Sequence, residues 1–126
     1  MTLRRTALAG LAASAALTAS GAEAHHAFNM YDNAKYVPLE ATVVSFTWQN
    51  PHAMLQVVAA MPDGTTEAWT VECSAPNIIG RRGWSAKSLK AGDKVPLVLH
   101  PMKNGAKYGL MVKVTTPSGQ VLNDKM

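Results

Sequence analysis

The chain has 126 residues, with 12 Lys and Arg against 8 Asp and Glu, for a formal charge of +4 at pH 7. That length admits one modest domain, and a small positive excess scattered along the chain lacks the density of a nucleic-acid footprint. The single cysteine, Cys73, excludes an internal disulfide framework, so the fold must stand on its core.

Arg4 and Arg5 precede an apolar run from Ala7 to Ala19, and Ala22-Glu23-Ala24 follows with small residues in an A-x-A pattern. This is the order of a secretory signal peptide over residues 1–24. The run is too short for a bilayer span, so no transmembrane segment is expected after processing. No Cys stands at the cut to take a lipid. The expected location is periplasmic or secreted. Removal of the leader takes Arg4, Arg5 and Glu23, which leaves 102 residues and a formal charge of +3. That is enough chain for a small barrel with one core.

Residues 25–38 read as an irregular N-terminal arm, since Asn29, Asp32 and Asn33 form turns and Pro38 blocks a helix. Phe28 and Tyr31 are the side chains that could pin it. Residues 39–126 read as the barrel domain. A first strand is expected over Leu39–Trp48, with a slip in its alternation at Val43-Val44 that fits a bulge. A second covers Ala53–Ala60 and a third Thr65–Cys73, joined by the Pro62-Asp63-Gly64 turn into a hairpin. Trp69, Val71 and Cys73 share the inner face of the third strand, which buries the lone thiol.

Ser74 is the expected N-cap of a short helix, with Pro76 in its first turn, Ile78 and Ile79 facing the barrel and Gly83 as C-cap. A further turn runs from Trp84 to Leu89. A fourth strand, Val95–His100, carries Pro96, which points to a sheet edge and leaves His100 exposed. Asn104-Gly105 turns into a fifth strand, Tyr108–Thr115, with Leu110, Val112 and Val114 inward, and Gln120–Leu122 forms a last short piece. Three strands, a helix and two strands give an all-β chain with one short helix. The matching architecture is a small five-stranded OB-like Greek-key barrel, with a split barrel or an incomplete sandwich as alternatives.

The run His25-His26-Ala27-Phe28 after a leader, Asn50-Pro51-His52-Ala53, Ser74-x-Pro76-Asn77, Arg81-Arg82-Gly83-Trp84 and Leu89-Lys90-x-Gly92-Asp93 together resemble a family of small exported bacterial proteins. It is a domain-of-unknown-function family, number 6152, and the likeness spans the mature chain. The resemblance implies export and a single small β domain, with no catalytic residue list to carry over.

Chemistry must therefore come from the residues. A cut after Ala24 makes His25 the first residue, and its α-amine and ring Nδ1 can then close a chelate ring on one metal ion. A third nitrogen completes the tetragonal set that Cu(II) favours. A cut after Ala22 would instead leave a histidine third from the amine, which also suits Cu(II) in a square plane. His52, at the turn between the first two strands, lies on the wall an OB barrel uses for ligands. The expected metal ligands are His25 and His52, with His26, His100 and Met102 as extras. The thioether of Met102 beside His100 suits Cu(I). Against this stands the plainer reading of a solvated end and turn-capping histidines.

A second feature is the trio Trp48, Arg82 and Trp84, which could hold a small ligand or a partner protein on the barrel face. Alternatively, Trp84 simply plugs the barrel bottom. No nucleophile elbow, activated Cys or close carboxylate pair is present, so catalysis is not the favoured reading. The expected function is copper carriage or buffering by an exported protein. A metal-free periplasmic binding module is the alternative.

Overall fold

The computed structural model describes residues 29–124. Its strands are β1 (Val37–Thr47), β2 (Met54–Ala60), β3 (Thr66–Glu72), β4 (Lys94–Pro101), β5 (Tyr108–Thr115) and β6 (Val121–Asn123). A one-turn helix α1 (Pro76–Ile79) and a 3-10 turn (Gly80–Arg82) lie between β3 and β4. Period-two burial builds the strands: Leu39, Ala41 and Val43 of β1 point inward, as do Leu55, Val57 and Ala59 of β2 and Val95, Leu97 and Leu99 of β4. Each fully buried Leu or Val is worth roughly 1.5–3 kcal/mol over leaving it in water.

Hydrogen-bonded neighbours run β3-β2-β1-β4-β5-β6, and a parallel β3–β5 pairing closes the first five strands into a barrel. This is the OB-like arrangement, with its short helix between β3 and β4 and one extra strand. β6 pairs with β5 and sends Leu122 into the core. The slip expected in β1 is a bulge between Val43 and Ser45, which lets one strand serve both β2 and β4.

Five local expectations are corrected. Pro96 does not mark an edge: β4 lies between β1 and β5, and the β5 ladder begins only at Leu97, so no recorded β5 pairing involves the proline. His100 is 5% exposed rather than open to solvent, because Lys35 and Tyr36 of the arm cover it. Ser74 is not the helix cap. Ala75 holds that position without a side-chain bond, while Ser74 turns to Asp124. A register shift between β4 and β5 changes the phase of β5, so Met111 joins Val114 in the core while Leu110 and Val112, though buried, stand apart from that cluster. Of the isoleucine pair, Ile79 is fully buried and Ile78 is 44% exposed.

Two glycines are demanded by geometry. Gly83 ends the 3-10 turn at φ 95°, a left-handed conformation that other residues reach only at a cost. At Gly109 a Cβ would come within 2.6 Å of the buried Leu99 side chain, where β5 runs beside β4.

Candidate functional site

The arm returns to the barrel at Tyr31, which is 3% exposed although it lies in an otherwise polar segment. Main-chain bonds hold it there. Asp32 N–H donates to the Pro101 carbonyl at 2.8 Å, Lys103 N–H donates to the Met30 carbonyl at 2.8 Å, and Tyr31 bridges Met102. The Tyr31 hydroxyl donates to Glu72 Oε2 at 2.5 Å, and the ring stacks on Tyr108 with centroids 6.2 Å apart.

Glu72 ends β3 on its outer face, one residue before Cys73 reaches the core. Its other oxygen meets the β1–β2 loop: His52 Nδ1 lies 2.8 Å from Glu72 Oε1 and 3.2 Å from the Cys73 carbonyl oxygen. Both partners are acceptors, so Nδ1 is the protonated nitrogen. The neutral ring then carries its lone pair on Nε2. A carboxylate on one imidazole nitrogen is the arrangement that orients a histidine toward a metal on the other.

In front of Glu72 opens a cavity of about 340 Å³ lined by Met30, Tyr31, Glu72, Met102 and Tyr108. Met102 comes from the β4–β5 turn, while His52 of the β1–β2 loop joins the corner only through its bond to Glu72. OB barrels commonly place ligands between these two loops, an analogy of fold that says nothing of chemistry.

Burial, followed by the hydrogen bond and the negative charge of Glu72, pushes the Tyr31 phenol well above the ordinary tyrosine range. Tyr108 is raised for the same leading reason, with Glu72 adding to it. Both rings are held neutral beside the carboxylate. Cys73, fully buried, has its thiol pushed far up by desolvation, with Asp124 and Glu72 contributing, and is chemically quiet.

His52 and Met102 are thus brought to one corner through Glu72. His100 is held elsewhere: its Nδ1 lies 2.7 Å from the Lys35 carbonyl oxygen, and the Tyr36 ring meets it edge-on at 4.8 Å. His25 and His26 lie outside the described residues. Among the described residues no three His, Cys, Asp or Glu side chains converge as a metal-holding group. Of the second trio, Trp84 is 3% exposed and donates its indole N–H to the Asn123 carbonyl at 2.9 Å. Arg82 bonds the Asp124 carbonyl and lies 3.7 Å from that residue's Oδ1, while Trp48 is half-buried against the core.

Tyr31, Glu72, Tyr108 and Met30 were not legible as site residues. Glu72 reads as an ordinary outward strand position. Only the parallel β3–β5 closure, pairing Glu72 with Leu110, brings it near Tyr108 and the arm.

The fold and this corner define a class: a closed OB-like barrel with a carboxylate–imidazole–phenol cluster where the β1–β2 loop and the arm meet the end of β3. The chain belongs to a family of unknown function (DUF6152), whose model matches residues 12–113. No curated protein and no solved structure matches the chain. No helix among the described residues is long and apolar enough to cross a membrane.

Proposed function

We propose that this is an exported protein that binds copper through a mature N-terminus beginning at His25, for carriage or buffering. The His25 amine and ring nitrogen form one chelate. His52 supplies the opposing nitrogen, and His26 is the further donor.

The supporting observation is where the arm lands: Tyr31 and His52 sit on the two oxygens of the same carboxylate, Glu72. Five residues lie between His25 and Tyr31, a reach of at most ~22 Å of extended chain. A histidine at the start of the arm is therefore tethered within reach of the ring that Glu72 orients. His100, bonded to the Lys35 carbonyl, is not retained as a ligand.

A metal-free module using Trp48, Arg82 and Trp84 has less in its favour, because Trp84 is enclosed and Arg82 is turned to Asp124.

Native mass spectrometry of the purified exported protein, with and without Cu(II), tests the proposal. The expected species begins at His25 and gains one copper. Acetylation of the His25 α-amine, which removes the first donor and leaves no free amine for His26 to chelate with, should abolish that gain. A different processed end, or indifference to micromolar Cu(II), refutes the reading.

A further inference from the structure

We infer that the cavity between the arm and the β4–β5 turn is a second, soft-metal site, in which the thioethers of Met30 and Met102 take Cu(I) with Glu72 as counter-charge. The inference deepens the copper reading and rests on it for the choice of metal.

Two of the five residues lining the cavity are methionines, in a chain with 7 among 126 residues. Chance placement does not favour such a pair. Nor does packing account for Met30. Met111 is fully buried and fills the core as methionines commonly do, whereas Met30 is 48% exposed. The Lys103-to-Met30 bond and the Tyr31–Met102 bridge hold both residues at the same opening through their main chains.

The donor chemistry then selects the ion. With no triad of His, Cys, Asp or Glu among the described residues, a divalent ion of hard or borderline character finds too few ligands there. A soft monovalent ion needs fewer donors, and thioethers suit it. Its single charge is matched by Glu72, which the Tyr31 hydroxyl and His52 hold in place. An organic ammonium fits less well. The two rings lie 23° from parallel, stacked on each other rather than enclosing a guest, and the remaining walls are methionine and carboxylate.

The test uses the full exported protein carrying methionines labelled with carbon-13 at the ε-methyl. Ag(I), a redox-inert stand-in for Cu(I), is titrated and the methyl signals followed by NMR. The Met30 and Met102 signals should move together up to one equivalent, while those of Met54, Met61 and Met111 stay. With Cu(I) under a reductant and a chromogenic chelator as competitor, the double variant Met30→Leu/Met102→Leu should lose roughly tenfold or more in affinity. Leucine fills similar volume, so the barrel is expected to hold.

The inference is overturned if the two methyl signals stay still, if other methionines move instead, or if the double variant competes as well as the parent. Failure of the N-terminal reading looks different. A protein acetylated at the His25 α-amine should lose Cu(II) and keep the Ag(I) shifts. If the parent ignores Cu(II) yet shows those shifts, the N-terminal proposal falls and the thioether site stands.

Discussion

Two carboxylates, two strand-end segments apart, meet opposite fates in this barrel. Asp124, 1% exposed, accepts the Ser74 N–H at 2.7 Å and the Ser74 hydroxyl at 2.5 Å, with Arg82 alongside. Its donors are a backbone amide and a hydroxyl, with a guanidinium 3.7 Å away, and they seal it. Glu72 is only two residues from Ser74, yet its partners are a phenol and an imidazole, and a cavity opens beside it. The first ties the chain's last described strand to the helix region and leaves nothing for a ligand. The second keeps its charge at an opening lined by two methionines and two tyrosines. A buried carboxylate is thus no sign of function by itself. The identity of its partners, and what lies in front of it, decides.

That contrast can be broken. Asp124→Ala strands the Ser74 donors inside the protein and should cost about 2–4 kcal/mol, read from the urea midpoint. Copper stoichiometry of the folded protein should be unchanged. A neutral outcome would mean that the sealed carboxylate is not structural.

His52→Ala removes one bond to Glu72 and should cost about 1 kcal/mol of stability, and it should weaken Cu(II) binding by roughly tenfold, about 1.4 kcal/mol. Calorimetric titration of the exported protein checks it.

Tyr31→Phe removes the phenol that bonds Glu72 and should cost about 1 kcal/mol. It also has a pH signature. The folded state raises the Tyr31 pKa, so it favours the neutral phenol. The resulting stability is complete below the unfolded value of about 10 and is lost as pH rises above it. Tyr108, shifted in the same direction, acts with the same sign. Thermal midpoints across the alkaline range should therefore fall less steeply in the phenylalanine variant.

The smallest effect belongs to Lys107, whose Nζ lies 2.9 Å from Glu67 Oε2 and 5.3 Å from the Trp69 ring centre while remaining 54% exposed. Screening by solvent limits Lys107→Ala to less than about 1 kcal/mol. A larger loss would place a third organising charge on the other face of β3.

Local pattern carried much of the architecture. Alternating apolar residues marked all five barrel strands, and the boundaries of Tyr108–Thr115 coincide with β5. The paired valines at 43 and 44 marked the bulge, and burial of Cys73 followed from its phase beside Val71. Pattern misled where a residue's surroundings come from far along the chain. Pro96 looked like an edge signal because its missing N–H is a local fact, while the β4–β5 ladder that starts after it is not. His100 looked exposed because the arm that supplies Lys35 and Tyr36 is 64 or more residues away in sequence.

What the sequence determined by itself was the run of strands, the hairpin and the helix between the third and fourth strands, an order that fits a barrel, since periodicity and turn chemistry act over a few residues. Tertiary structure decided which polar groups meet. Parallel closure of β3 on β5 and the return of the arm set Glu72 between Tyr31 and His52 and set Asp124 on Ser74. Those encounters depend on contacts between segments far apart in the chain, where burial and hydrogen-bond geometry, not local propensity, select the partner.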